Sequence, residues 1–278
     1  IQDEVGIICG AIVDWDITEN RDPHNLFVIK KKPADKMKMM IKSLYNVRHL
    51  LPYPNKLLAP LNNDVIIETA RVFKYKKKPD DQLKGFKNYS EYIDILFNNE
   101  NPFIVSEYDY KSSKRTAEKL KQTYPMLVTP ELYNLEMYTQ IKLEGVINGL
   151  EIKGMLDFVF INHYKKKIIP FDLKTGYHSA TTFRKGAYLD WRYYIQHSLY
   201  SRLLKQEISK HPELSDYEIL EFNFMYGSRS VFDTTVYKVN PQDDIEALDG
   251  FIEDSKTFIG VNELIEIYKK YIALDMNI

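Results

Sequence analysis

The sequence predicts a mixed α/β fold, a helical first half laid around a mixed β-sheet supplied by the second half. Three observations carry this expectation. Apolar residues recur at helical spacing before about residue 130, they alternate at strand spacing after it, and an Asn-Gly hairpin signal joins the first two alternating runs. The 278 residues suit one substantial domain, read as 1–278, with a mainly helical part over 1–130 and a sheet with flanking helices over 131–278. A chain of that length buries a large core without covalent staples.

The elements follow in order. Residues 33–50 set Met37, Met40, Ile41, Leu44 and Tyr45 on one helical face, and 62–76 and 89–98 also read as helices. Residues 106–110 resemble a helix start, continued over 113–123, before Pro125 and Pro130 punctuate the chain. From Glu136 the character changes. Met137, Thr139, Ile141, Leu143 and Gly145 alternate against Tyr138, Gln140, Lys142, Glu144 and Val146. Asn148-Gly149 then turns the chain, 150–161 returns as a second strand, and 162–166 leads through a turn into a third strand over 167–174. A long helix over 190–210, strands over 218–226 and 233–239, and a C-terminal helix from about residue 241 complete the prediction. With 11 glycines and no repeat, long flexible linkers are not expected.

Composition excludes several classes. The single Cys9 rules out an internal disulfide, a four-cysteine zinc site and a cysteine-held iron–sulfur cluster, and suits a reducing, cytoplasmic setting. No apolar run approaches a membrane span, and no charged-then-apolar signal opens the residues given. A P-loop, a dinucleotide fingerprint, a His-Glu-x-x-His pair and a nucleophile elbow are all missing, so no ATP motor is expected. The 38 basic and 39 acidic residues leave a net charge of −1, without the overall basic excess of a nucleic-acid binder. The basic residues are nevertheless clustered. Lys30, Lys31, Lys32, Lys36, Lys38 and Lys42 form one run, Lys74, Lys76, Lys77 and Lys78 another, and 111–121 with Arg115 a third. Each run taken alone reads as a solvated helix face or turn.

The chemistry concentrates in three segments: Gly154-Met155-Leu156-Asp157, Pro170-Phe171-Asp172-Leu173-Lys174, and Gln196-His197-Ser198-Leu199-Tyr200. Alternation along a strand points Asp172 and Lys174 to one side of a segment whose other residues, Ile168, Ile169, Phe171 and Leu173, read as buried. Buried charges are costly unless paired or bound to a metal. Asp157, near the end of the preceding strand of the same hairpin, can lie beside Asp172 across the ladder. Two adjacent carboxylates raise each other's pKa unless a cation intervenes, and oxygen ligands suit Mg²⁺ or Mn²⁺. The Leu173 carbonyl is a third candidate ligand, and Lys174 is then set to hold or polarise a water. This is equipment for hydrolysing a phosphodiester. Gln196 and Tyr200 lie one helical turn apart, on one face of the following helix.

These elements, G-x-x-D, D-x-K and Q-x-x-x-Y in that order, resemble the PD-(D/E)XK nuclease superfamily, its RecB-like branch, and within it the RecE-type phage exonuclease domain. The likeness extends to the opening Gly10-Ala11-Ile12-Val13-Asp14 with Ile17-Thr18-Glu19, to Phe27-Val28-Ile29, to 102–124, to Glu136 at the first core strand and to the aromatic run Trp191-Arg192-Tyr193-Tyr194. It spans roughly residues 8–205. The resemblance implies a restriction-endonuclease-like mixed central β-sheet flanked by helices. It makes Asp157, Asp172, Lys174, Gln196 and Tyr200 catalytic. Metal would be held by Asp157, Asp172 and the Leu173 carbonyl, with Asp14, where the family more often carries His, and Glu136 as further candidates. Gln196, Tyr200, Thr175 and Arg192 would contact DNA. It further implies a Mg²⁺-dependent (or Mn²⁺-dependent) exonuclease acting 5′-to-3′ on duplex DNA with a free end, a ring-like homo-oligomer and a single-strand annealing protein as partner, in the cytoplasm of a bacterial host. An endonuclease of restriction or repair type carries the same core motifs, and a non-catalytic DNA-binding module on the same scaffold is a third reading.

Other residues have plainer readings. His163 lies in a turn among Lys165, Lys166 and Lys167 and is expected to be solvated. His178 follows the D-x-K strand closely enough to approach DNA, though solvation is the simpler expectation. Trp191 and Tyr193 have the spacing of core aromatics, with base stacking as the alternative. Asp243, Asp244 and Glu246 read as the acidic first turn of a helix capped near Asn240, and Gly154 as a site of close strand packing.

Overall fold

The computed structural model describes residues 4–46, 63–74 and 78–275. The end of the helix expected over 33–50, the ends of that over 62–76, and Lys76 and Lys77 of the second basic run lie outside the described residues. The chain divides into two compact units, one formed by 1–12 and 21–112, the other by 13–20 and 113–278.

The chain begins with helix α1 (Glu4–Thr18), which contributes to both units, then strand β1 (Leu26–Ile29), helices α2 (Asp35–Asn46), α3 (Asn63–Val72), α4 (Pro79–Lys87) and α5 (Ser90–Asn98), strand β2 (Phe103–Ser106) and helix α6 (Glu107–Thr123). In the first unit the i, i+3, i+4, i+7 stripe Met37, Met40, Ile41 and Leu44 of α2 is buried as expected, against Phe86 of α4 and Tyr92, Ile93 and Leu96 of α5. β1 and β2 pair in parallel from Leu26↔Phe103 to Ile29↔Ser106. That pairing was not anticipated, because four-residue strands far apart in sequence leave no periodic signal. Helix α4 was also missed, since nine residues of mostly polar composition barely define a face.

The second unit holds the sheet. β3 (Glu136–Ile147) and β4 (Leu150–Asn162) form the expected hairpin, closed by Asn148 and Gly149 with φ of 49° and 78°. Both central residues take the left-handed conformation that a type I′ turn needs. β5 (Lys167–Gly176) runs antiparallel to β4. A short three-residue helical turn (Ala180–Thr182), a π-helical stretch (Arg184–Leu189) and helix α7 (Tyr193–Ile208) follow. The single helix expected over 190–210 is thus preceded by a wider turn, and Arg192, at φ 56°, resets the chain before α7. The strand expected over 218–226 is split into β6 (Glu218–Ile219) and β7 (Asn223–Ser228), both parallel to β5, and β8 (Thr234–Lys238) returns beside β7. The sheet order is β3-β4-β5-β7-β8 with β6 beside β5, a central mixed sheet with helices about it. Helix α8 (Pro241–Asp249), the hairpin β9 (Phe251–Glu253) and β10 (Lys256–Phe258), and helix α9 (Val261–Asp275) close the chain. The acidic first turn of α8 is a full capping box, Asn240 accepting from the Asp243 amide while Asp243 accepts from that of Asn240.

Two apolar layers sandwich this sheet. Phe158, Phe160, Phe171, Leu173 and Met225 pack with Val13 and Ile17 of α1 and Ala117 and Leu120 of α6. Phe224 and Tyr226, alternating with Met225, pack instead with Phe183, Tyr188, Tyr194 and Leu203. Asp172 and Lys174 register with Phe224 and Tyr226, and so belong to the α7 side. Among the described residues no helix is long and apolar enough to cross a membrane.

Phe160 is fully buried, its ring edge-on to both Phe158 and Phe171 at centroid distances of 5.6 Å. Phe160→Ala is expected to cost about 3–5 kcal/mol, read as a lower denaturant midpoint in equilibrium unfolding.

Candidate active site

The site forms where the β4–β5 ladder ends. Paired residues run from Asn162↔Lys167 to Phe158↔Phe171 and stop. The next position on β4 is Asp157. Its carboxylate replaces the missing backbone partner, Oδ2 accepting from the Leu173 amide at 2.6 Å. The carbonyl of a strand residue faces the same edge as its amide, so the Leu173 carbonyl lies on this edge too. β5 meanwhile stays in register with β7 as far as Gly176↔Ser228, which holds Asp172 and Lys174 rigidly.

Asp172 is 2% exposed. Gln196 Nε2 donates to its Oδ1 at 3.1 Å, and the Lys174 ammonium makes an ion pair with its Oδ2. Lys174 also lies 4.7 Å from the ring centroid of Tyr193, a cation–π contact that rewards a desolvated ammonium. Tyr193, Gln196 and Tyr200 share one face of α7. Tyr200 fills the space above Gly154, where an added Cβ would fall 2.6 Å from its ring. The first glycine of G-x-x-D and the last residue of Q-x-x-x-Y are therefore in direct contact, which gives Gly154 its close-packing role.

Asp14, near the end of α1, is the third carboxylate. Gln140 Nε2 donates to both its oxygens, at 2.9 and 3.2 Å. Gln140 sits directly opposite Asp157, and theirs is the one pair omitted from an otherwise unslipped β3–β4 register. Its φ of 51° is an uncommon conformation for a non-glycine residue in a strand. Sequence reading missed Gln140, since nothing in simple alternation sets it apart; its place across the hairpin from Asp157 was the available signal.

The electrostatics follow from burial. Desolvation lifts the Asp14 carboxyl to about 6, with Asp172 adding to the rise while the Gln140 hydrogen bond opposes it. Asp157 is raised well above the usual carboxylate range, first by burial and then by Asp172 and Asp14. Burial also raises Asp172, against the pull of Lys174. Lys174 is opposed by burial but held above the ordinary lysine range by Asp172 and Asp157. Three mutually repelling carboxylates thus share one ammonium.

The other candidates lie elsewhere. Glu136 is half exposed and is not brought to this group: it accepts from His163 Nε2 at 2.7 Å, and His163 in turn meets the Tyr217 hydroxyl at 2.9 Å. The His163 hydrogen bond holds its carboxyl below the usual range. Gln140 lies four residue steps from Glu136, about 13 Å along β3. His163 is accordingly engaged rather than simply solvated. Thr175 is half-buried, one step past Lys174 in register with Gly227, and Arg192 is exposed at the start of α7. Trp191 is 59% exposed and does not belong to the core, whereas Tyr193 stacks on Phe224 at 5.7 Å. His178 lies against Gly186. Among the described residues no group of three or more His, Cys, Asp and Glu side chains is gathered so that it could hold a metal ion by itself.

No protein-family model and no curated protein matches the chain. Among solved structures, a crystal structure from Eubacterium rectale described as a "Putative exonuclease" is similar over 88% of this chain and 78% of its own, at 12% identity and a TM-score of 0.37.

A carboxylate whose pKa rises on folding binds protons more tightly in the folded state, so its contribution to stability falls as pH rises through the window between the two values. For Asp14 that window runs from 3.8 to about 6. With a chelator present, Asp14→Asn is expected to be more stable than the parent at pH 7.5 by roughly 1–2 kcal/mol, and the gain to vanish near pH 4. Thermal unfolding at the two pH values measures it; a variant less stable than the parent at pH 7.5 would contradict the assigned shift.

Proposed function

We propose that the chain is a metal-dependent deoxyribonuclease, and specifically an exonuclease that degrades one strand of linear duplex DNA. The observation that carries this reading is the buried Asp172 with half-buried Asp157 and Lys174 beside it, steadied by Gln196 at the open end of the β4–β5 ladder. A buried ion pair made merely for stability would gain nothing from two further carboxylates beside it.

The donor set suits a hard divalent cation. Three carboxylates against one ammonium fall two positive charges short of balance when ionised, and every donor is oxygen. Mg²⁺ typically takes one or two carboxylates and keeps waters and substrate phosphate for the rest, so Asp157, Asp172 and the Leu173 carbonyl suffice, with Asp14 as a further donor. Lewis-acid polarisation of the phosphate and of the attacking water is what the ion supplies when bound.

The protein's own groups do the remainder. Lys174 offers a fixed positive charge beside Asp172, able to orient a water or to stabilise charge developing on the phosphate. Gln196 occupies the second oxygen of Asp172 and fixes its plane. Tyr193 underlies the lysine and restricts where its ammonium can go. Tyr200, packed on Gly154, holds α7 against β4. Asp14, with a carboxyl near 6, is suited to accept a proton at neutral pH. Thr175 and Arg192, one beyond Lys174 and one at the start of α7, are candidates to contact the DNA backbone. The finer reading gives 5′-to-3′ polarity, single-stranded tails for recombination by annealing, an annealing protein and further copies of the chain as partners, and Mg²⁺ or Mn²⁺ as the ion.

Linear duplexes labelled separately at the 5′ and 3′ ends, alongside a covalently closed circle, test this with Mg²⁺ and with EDTA. Release of 5′ label from linear DNA, an intact circle and no reaction in EDTA are expected. Asp172→Ala and Lys174→Ala should each lower turnover by at least about 10³-fold. Cutting of the circle would make the enzyme an endonuclease, and unchanged turnover in either variant would overturn the mechanism.

A further inference from the structure

The second unit carries another feature that the catalytic group does not use. An open groove of about 390 Å³ lies between helix α6 and the loop joining β7 to β8, lined by Arg115, Glu118, Lys119, Gln122, Val231 and Phe232. The first four recur at i, i+3, i+4 and i+7 and form one stripe of α6. Arg115 lies over the Phe232 ring at 4.1 Å from its centroid. Among the described residues neither Arg115 nor Lys119 has an acidic partner. Val231 is 59% exposed at the groove wall.

The loop is held in this shape. The Arg229 amide donates to the Gly176 carbonyl at 2.7 Å, and Ser228 Oγ accepts from the amides of Ser230 and Val231 at 3.4 and 3.3 Å. Phe232 is left at φ 56°, costly for a bulky side chain and found where the surroundings impose it. Arg229 adds a second guanidinium over an aromatic ring, 4.3 Å from that of Tyr177, while only 2% exposed and with its Nε unpartnered. The Lys174↔Tyr226 register puts this loop just beyond the candidate site along the same pair of strands.

We propose that the groove binds an unpaired segment of nucleic acid, one base stacking on Phe232 against Arg115 and the adjoining phosphate resting on Lys119. Aromatic and guanidinium planes accept any base by its face, and a lysine at the rim supplies the phosphate contact. The groove is in the size range of a small-ligand site, which suits one nucleotide. Glu118, on the same stripe, repels phosphate and accepts from an exocyclic amine. That combination favours a splayed base over the backbone of an intact duplex. The assignment rests on the nuclease reading of the site and names the unpaired form of nucleic acid held beside it. Two strand residues from Lys174 to the level of Ser228, plus the thickness of a sheet layer, put the groove roughly 10–15 Å from the site, a span of two or three nucleotides.

Fluorescence anisotropy of a labelled single-stranded oligonucleotide, measured in EDTA so that no cleavage intervenes, tests this. Phe232→Ala and Lys119→Glu should each weaken binding about tenfold. Phe232→Trp should retain affinity and show tryptophan quenching on binding, which guards against a misfolded alanine variant. A closed duplex circle should bind these variants as it binds the parent. Single-strand affinities within twofold of the parent in both Phe232→Ala and Lys119→Glu, or equal loss on the closed circle, would overturn the assignment. Asp172→Asn separates the two readings, because it abolishes cleavage if the catalytic assignment holds and leaves binding in EDTA unchanged if the groove is where the strand is held.

Discussion

The second unit is organised around a buried carboxylate, Asp172, flanked by two half-buried ones, with too little positive charge beside them. Asp14, Asp157 and Asp172 press on one another, and among the described residues Lys174 is the sole ammonium beside them. Burial and mutual repulsion both oppose ionisation, so the arrangement persists only because the surrounding elements over-determine it. Asp157 is tied to the Leu173 amide, Asp172 to Gln196 and Lys174, and Asp14 to Gln140. The tethers come from β5, α7 and β3.

The price of this cluster is visible in the sheet. The β4–β5 ladder stops at Phe158↔Phe171, and the β3–β4 ladder omits the Gln140–Asp157 pair. Both interruptions fall at the same level, where the backbone gives way to carboxylates. The layers on either side remain dense. Phe158, Phe160 and Phe171 stack below, and α7 with its π-helical approach covers the opposite face. A rigid apolar frame around a strained polar point is how a fold holds charged groups to within a fraction of an ångström. The π-helical turn at Arg184–Leu189 belongs to this frame, since Arg184 leaves it to pair with Asp243 and Glu253 and so ties α7's approach to the C-terminal elements.

Much of this was legible in advance. The β3–β4 hairpin follows from alternation and from Asn148-Gly149, because the turn chemistry and the pleat agree on one register. Asp172 and Lys174 share a face by strand geometry alone, and Gln196 and Tyr200 by helix geometry. Glu136 was misread as part of the cluster because strand position specifies a face but not a distance from the site, and a long strand carries its first residue far from its fifth. Trp191 was misread as core for a related reason. Helical periodicity presumes one regular helix, and the reset at Arg192 turns that side chain out to solvent.

What the amino-acid sequence determined by itself is local: which segments alternate, where they turn, and which charged residues lie on an otherwise apolar strand. Those features depend on neighbours within a few residues, through sterics and side-chain periodicity. The tertiary structure decided the rest. It tied Asp14 to Gln140, set Tyr200 on Gly154, paired β1 with β2, and opened a groove between α6 and the β7–β8 loop. Each of these is a meeting of segments distant in sequence, fixed by packing against a shared core. No periodic pattern encodes such a meeting, because its energy exists only once both partners are in place.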